Sequence, residues 1–306
     1  MTAPRVAVGP APRDSADRAI RAGGGEPGAV DAAADALVWL DPADLQGLRG
    51  ALAAAPSARW VQLPFAGVEQ VAAAGLLDPG RMWTSAKGAY AEPVAEHALA
   101  LALAGLRHLP ERITARSWGK PAGESLYDQP VTILGGGGIT ASLLALLAPL
   151  RTTVTVVRRR PDPVPGAAAT LPQSRLAEAL AGPRVVFLAL ALTPETEHII
   201  GAAELAAMGP TCWLVNVARG RHVDTDALVT ALRAGVIGGA ALDVTDPEPL
   251  PDGHPLWQLE RCIITPHTAD TPQMVERMLA RRIADNVARF AAGEPLVGIV
   301  DPAAGY

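Results

Sequence analysis

The 306-residue chain is short of lysine, aromatic residues and cysteine, and it has no long apolar run. Lys87 and Lys120 are the only lysines, so the basic charge is carried almost wholly by arginine. The formal net charge of -5 gives no general attraction to nucleic acid or to an acidic membrane surface. Aromatic residues make up only 4%, so the cores must be filled mainly by Ala, Leu and Val. Cys212 and Cys262 form no CxxC pair, and no histidines stand near them at metal-ligand spacing. That pattern argues against a metal site or a disulfide and for two buried free thiols. The most apolar stretch, residues 95–106, is interrupted by Glu96 and His97 and is too short to span a bilayer. No basic segment followed by a long apolar one opens the chain, so no signal peptide is expected and the cytoplasm is the default compartment.

What the chain does have is 49% apolar content against 19% charge, ordinary for a folded globular protein, and 306 residues, enough for two domains with separate cores. Short apolar strands alternate with helix-like segments, the pattern of parallel strands covered by helices. Early in the chain, residues 5–8, 36–40, 59–63 and 82–85 read as strands, and Asp44 opens an Ala/Leu-rich helix to Ala55. Residues 14–30 are Gly/Ala-rich and leave room for a short helix whose ends the pattern does not place. Residues 93–109 read as one long helix with proline at its first position. It is apolar on nearly all sides, so burial by a neighbouring domain or subunit is expected. Residues 110–129 read as polar turns. A second series has strands at 131–134, 154–157, 185–190, 213–217 and 238–243, the last taken as final. Its helices fall at 139–150, 176–180, 202–208 and 225–234, and residues 158–172 read as a basic, proline-rich connection. A closing helix from Thr271 or Pro272 to Phe290 spaces Met274, Met278, Ile283 and Val287 at roughly helical period.

The first strand of the second series runs straight into Gly135, Gly136, Gly137 and Gly138 and then into a helix from Ile139. Glycines allow a tight turn and let the backbone approach a pyrophosphate, and a helix N-terminus offers N–H groups and positive potential. Gly135, Gly137, Gly138 and Ile139 are therefore candidate cofactor contacts. Thr140 stands where the fingerprint wants a third glycine, although Gly136, Gly138 and Ala141 match loosely in a shifted register. The next strand ends in Arg158, Arg159 and Arg160, where an acidic residue would bind the adenosine ribose hydroxyls. Guanidinium groups suit a ribose 2′-phosphate instead, which favours NADP(H), with NAD(H) as the alternative.

Two further strand ends carry chemistry. Arg219 follows the strand ending in Asn216-Val217-Ala218, and a guanidinium there can hold a carboxylate and its neighbouring oxo group while favouring negative charge on oxygen. His267, in Thr265-Pro266-His267, suits proton transfer to and from a carbonyl oxygen because imidazole titrates near neutrality. Glu248 could orient that ring and favour its charged form, though the spacing permits the contact without requiring it.

With these residues in place, the second half of the chain resembles the D-isomer-specific 2-hydroxyacid dehydrogenase family. The matching stretches are Leu192-Thr-Pro-Glu-Thr-Glu-His198, Asn216-Val-Ala-Arg-Gly220, Gly239-Ala-Ala-Leu-Asp-Val244, Glu248-Pro-Leu250 and Thr265-Pro-His267. The resemblance implies catalytic roles for Arg219, Glu248 and His267 and places Asp243 near the nicotinamide. It adds Thr193, Pro194, Thr196, Val217 and Ala218 to the cofactor contacts. Phe65-Ala-Gly-Val68 matches the substrate loop, which assigns Gly67 and Val68 to the substrate carboxylate together with Arg219. The implied fold is α/β, with two Rossmann-like or flavodoxin-like parallel-sheet domains. Residues 1–92 plus 275–306 form the substrate domain, and residues 93–274 form the inserted dinucleotide-binding domain. A homodimer through the latter domain is also implied. His97 and Glu96 match the start of the interdomain helix and are given no chemistry.

Thr140 departs from a family glycine and could shift the helix relative to the pyrophosphate. Arg158 replaces the acidic ribose ligand of many members, which is similar to the NADPH-using glyoxylate/hydroxypyruvate reductase branch. The expectation is reduction of a small 2-oxo acid to the D-2-hydroxy acid, with no metal. Phe65, Trp83, Tyr90 and Trp257 are candidates for narrowing the pocket. Two alternatives stand beside this reading: an NAD-dependent dehydrogenase of another hydroxy acid or a phosphite-like anion, and a dinucleotide-sensing binding protein like the corepressors that share this fold.

Overall fold

Alternating apolar positions decide how the strands are covered. The computed structural model describes residues 3–302. In chain order its elements begin β1 (Arg5–Gly9), α1 (Asp14–Ala22), β2 (Glu26–Gly28), β3 (Ala36–Trp39), α2 (Leu45–Ala54), β4 (Trp60–Gln62), α3 (Glu69–Ala73) and β5 (Met82–Thr84). They continue with α4 (Ala91–Leu106), α5 (Leu109–Thr114), β6 (Pro130–Leu134), α6 (Gly138–Leu147), β7 (Thr153–Arg158), β8 (Ala169–Pro172), α7 (Leu176–Ala179) and β9 (Val185–Leu188). The last are α8 (Ala202–Met208), β10 (Trp213–Asn216), α9 (Thr225–Arg233), β11 (Gly239–Leu242), β12 (Cys262–Ile264) and α10 (Pro272–Ala292). The chain divides into two units, Met1–Tyr90 with Thr271–Tyr306, and Ala91–Asp270. The breaks fall at Tyr90/Ala91 and Asp270/Thr271, a few residues ahead of those expected.

The first unit holds a parallel sheet in the order β2-β1-β3-β4-β5. Val6, Val8, Ala36 and Val38 pack with Ile20 of α1 and Ile283 and Val287 of α10 on one side. Ala7, Leu37, Trp39 and Val61 pack with Leu48 and Val71 on the other. Two-residue alternation thus covers both faces with helices. The Asp44 carboxylate accepts from Gly47 N–H at 2.7 Å and caps α2. The closing helix is locked in by buried Asn286, whose amide donates to Gln62 Oε1 of β4 and to the Val297 carbonyl, each at 2.9 Å. Trp83 and Tyr90 are also buried here; Tyr90 donates to the Pro64 carbonyl at 2.6 Å, so both are core of this unit.

The second unit holds a seven-stranded parallel sheet in the order β12-β11-β10-β9-β6-β7-β8. The order reverses between β6 and β9, where doubly wound sheets bind ligands at the carboxyl ends of their strands. The central strands β6, β9, β10 and β11 are almost continuously buried, as expected of a sheet covered on both faces.

Several expected elements differ. The 14–30 stretch holds the short helix it left room for, α1, and also the unexpected edge strand β2. The basic connection after β7 contains β8. The strand at β11 is not the last, because β12 pairs beside it. The long helix spans Ala91–Leu106, with Pro93 at its third position, and a left-handed His108 (φ 51°) separates it from α5. Within its own unit α4 packs against α6, β10 and β11. On α10, Met274 is exposed and only Ile283, Asn286 and Val287 are fully buried. Cys212 is buried and Cys262 partly buried; both are unpaired, and burial pushes each thiol up to about 12. Among the described residues, no helix is long and apolar enough to cross a membrane, and no cluster of His, Cys, Asp and Glu has a metal-binding arrangement.

Candidate active site

Every candidate of the second unit lies at or beyond the carboxyl end of one of its strands. Gly135 follows β6 with φ 115°, and a Cβ there would stand 2.0 Å from the Ala189 carbonyl oxygen after β9. Only glycine lets these two chains meet at the switch point. Gly137 caps α6, whose first turn begins at Gly138 and Ile139. Thr140 is fully buried in that turn and donates its hydroxyl to the Gly135 carbonyl at 2.9 Å. The departure from glycine therefore ties the turn to the helix and leaves the strand–glycine–helix unit intact. A glycine turn of this geometry followed by a ten-residue helix fits a dinucleotide pyrophosphate.

Arg158, at the end of β7, lies across Gly136: a Cβ on that glycine would stand 2.9 Å from its Cδ and 3.0 Å from its Nε. Arg159 is exposed and acts electrostatically on Glu195 of the loop after β9. In that loop, the Thr196 hydroxyl accepts from Thr193 N–H and donates to the Ala191 carbonyl, both at 2.8 Å. Pro194 lies between these two threonines. Buried His222, which sequence reasoning did not single out, reaches the same loop. Its Nδ1 lies 2.9 Å from the Thr196 carbonyl and its Nε2 3.2 Å from that of Leu190.

Buried Asn216 shapes the next turn. Its amide accepts from Ala218 N–H at 3.0 Å and donates to the Arg219 carbonyl at 2.8 Å. Val217 and Ala218 in this turn are buried. Arg219 is half-buried and donates from Nη1 to the Ala218 carbonyl at 2.7 Å. Gly220 follows because a Cβ there would lie 1.9 Å from the Thr245 carbonyl oxygen. That close crossing brings the segment after β11, which leads to Glu248, against the Arg219 turn. Glu248 Oε1 meets His267 Nδ1 at 2.6 Å, and the two side chains are 40% and 46% exposed. The contact that the spacing only allowed is made. With Nδ1 facing Glu248, Nε2 is the ring atom left to exchange a proton with a ligand.

Asp243 is 2% exposed, and its carboxylate is surrounded by donors. Oδ1 accepts from the Thr265 hydroxyl at 2.5 Å and Thr268 N–H at 2.9 Å, and Oδ2 accepts from Ala269 N–H at 3.1 Å. Burial opposes its ionisation, but hydrogen bonds from His97, Thr265, Thr268 and Ala269 outweigh that and bring its pKa down to about 2. Its backbone carbonyl accepts from His267 N–H at 2.8 Å. His267 itself has a left-handed backbone (φ 49°), a conformation costing about 1 kcal/mol outside glycine. Asp270, at the end of this loop, was also missed. Burial and the Asp243 charge push its carboxyl up, against the pull of His267 and Arg219. In the first unit, Gly67 and Val68 occupy the turn from β4 into α3, and Phe65 packs partly on that unit's core. Trp257 is 50% exposed.

Residues 98–269 match the family profile for "D-isomer specific 2-hydroxyacid dehydrogenase, NAD binding domain". The chain is 31% identical over 252 residues to a glyoxylate reductase of Thermofilum pendens, a match covering 79% of this chain and 74% of the relative. Its fold is similar to that of a D-isomer specific 2-hydroxyacid dehydrogenase from Xanthobacter autotrophicus Py2 in complex with NADPH and MES, with TM-score 0.85, 28% identity and full coverage of both chains. It is also similar to an NADPH-dependent glyoxylate/hydroxypyruvate reductase from Sinorhizobium meliloti in complex with NADP and sulfate. That match has TM-score 0.80 and 25% identity, and covers 99% of this chain and 100% of the other.

Proposed function

The chain belongs to the D-isomer-specific 2-hydroxyacid dehydrogenase family, close to its glyoxylate/hydroxypyruvate reductases, and from that premise we propose that it reduces a small 2-oxo acid to the D-2-hydroxy acid with NADPH. The observation that carries the chemistry is the 2.6 Å contact between Glu248 and His267 on the sheet edge that also presents Arg219. Arg219 binds the substrate carboxylate and draws charge onto the carbonyl oxygen. His267 gives that oxygen a proton from Nε2, and Glu248 holds the ring and stabilises the imidazolium. In the first unit, the turn from β4 into α3 offers the backbone N–H groups of Gly67 and Val68 as carboxylate donors, an assignment that rests on the likeness of this turn to the family's substrate loop. When bound, the dinucleotide supplies the hydride that reduces the carbonyl carbon.

Gly135, Gly137, Gly138 and Ile139 hold the pyrophosphate in this reading, and Thr193, Pro194, Thr196, Val217, Ala218 and Asp243 line the rest of the cofactor path. Arg158 and Arg159 bind the 2′-phosphate. The position of Arg158 over Gly136 supports the NADPH preference, as does the NADPH bound to the Xanthobacter relative. The proposal includes a homodimer through the second unit, supported by the apolar side chains of Ile113 and Trp118, 77% and 97% exposed.

The test is consumption of NADPH and of NADH with glyoxylate, hydroxypyruvate, pyruvate and bulkier oxo acids. Turnover of the small acids, faster with NADPH, is expected; no turnover with any of them would sink the assignment. Neutral residues at positions 158 and 159 should weaken NADPH binding far more than NADH binding, and equal losses would remove the 2′-phosphate role.

A further inference from the structure

His97 has no part in the chemistry above, yet it touches the loop that carries His267. It lies on α4, half-buried, with Nε2 3.0 Å from Thr265 Oγ1 and 3.3 Å from Asp243 Oδ1. The proton positions follow from the neighbours. Asp243 is ionised at any working pH, and an ionised carboxylate only accepts hydrogen bonds. The 2.5 Å contact between Thr265 Oγ1 and Asp243 Oδ1 must therefore contain the single hydroxyl proton of Thr265. That hydroxyl can face His97 only with a lone pair, so the proton between them sits on His97 Nε2. The imidazole is an obligate donor there, shared between Thr265 and Asp243.

The segment held in this way runs from Thr265 to Ala269. Asp243 takes the N–H groups of Thr268 and Ala269 on its carboxylate and that of His267 on its carbonyl. His267, at the middle, has a left-handed backbone (φ 49°). His97 closes the remaining side of the loop from a different helix. Without its N–H, the Thr265 hydroxyl loses its donor and the buried Asp243 carboxylate loses one of its hydrogen bonds.

We infer that His97 is a positioning residue: as an Nε2–H donor to Thr265 and Asp243, it locks the Thr265–Ala269 loop in the backbone path that seats His267 against Glu248. The inference rests on the reading of His267 as the proton donor of an oxo-acid reductase.

The experiment compares His97→Leu, which removes the donor, with His97→Gln, whose side-chain amide can place an N–H close to where Nε2–H stands. Loss of one charge-assisted hydrogen bond predicts about a tenfold lower kcat for His97→Leu with the KM for NADPH unchanged, and recovery to within about threefold of wild type in His97→Gln. Amide hydrogen exchange, which needs no substrate, should be about tenfold faster at His267, Thr268 and Ala269 in His97→Leu and near wild type in His97→Gln. Unchanged exchange in His97→Leu, or equal impairment of both variants, overturns the inference. A wild-type protein without activity on any oxo acid would overturn the functional reading instead, and the exchange data would still decide whether His97 holds the loop.

Discussion

Replacing Asp243 by Asn keeps the side-chain shape but removes the charge on which four donors converge. In the wild type those donors are the Thr265 hydroxyl, the N–H groups of Thr268 and Ala269, and His97. They bring the carboxyl from an ordinary 3.8 to about 2 despite its burial. At about 1.4 kcal/mol per pKa unit the shift is worth at most about 2.5 kcal/mol, an upper figure because solvent screening at the site edge reduces it. An Asn amide also turns one acceptor into a donor facing another donor, which costs about 1–3 kcal/mol when buried. The predicted loss is therefore about 2–4 kcal/mol at about pH 7, measured by urea unfolding of wild type and variant. The sign of the pH dependence follows from a lowered folded-state pKa. The stabilisation is complete above the unfolded value of 3.8 and is lost as pH falls through that value toward about 2. The gap between wild type and variant should shrink across that window. A variant as stable as wild type at neutral pH, or a gap that does not change on acidification, would refute the donor cluster as the source of the shift.

Other outcomes follow from the same geometry. Gly135→Ala should lose at least about 3 kcal/mol and most of its dinucleotide affinity, because its Cβ would meet the Ala189 carbonyl oxygen at 2.0 Å; wild-type binding in a fluorescence titration would contradict the close approach. Asp270→Asn should raise Tm at neutral pH. Burial holds the Asp270 carboxyl above its ordinary value, so the wild type loses stability as pH rises through the interval between the two, whereas the variant does not. The two proteins should melt together below the ordinary carboxylate range, and a variant that melts lower at neutral pH would reverse the assignment.

Much of the second sheet is legible in the sequence because buried parallel strands are written as unbroken apolar runs, as in Val185–Leu188. The edge strands are not. β2 is Glu-Pro-Gly, and β8 lies in a proline-rich stretch, so neither has a side-chain pattern to read. β12 is three residues long and only partly buried, which hid the sheet's last strand. In the site, Arg219, Glu248 and His267 stand out because each follows a strand or a short motif. What joins them does not. Asn216 acts through local backbone bonds that any polar turn could make, and His97 meets Thr265 across 168 residues of chain. Asp243 is legible as a motif residue, whereas its donors on the Thr265–Ala269 loop become visible only when that loop folds back over β11.

The account depends most on His267 as the residue that protonates the substrate oxygen. The direct measurement is turnover and NADPH affinity of His267→Gln beside wild type, with the best small oxo acid as substrate. A kcat lower by about a thousandfold, with the NADPH Kd within about threefold of wild type, is the predicted result. Turnover within about tenfold of wild type would contradict it and leave the Glu248–His267 pair without its assigned role.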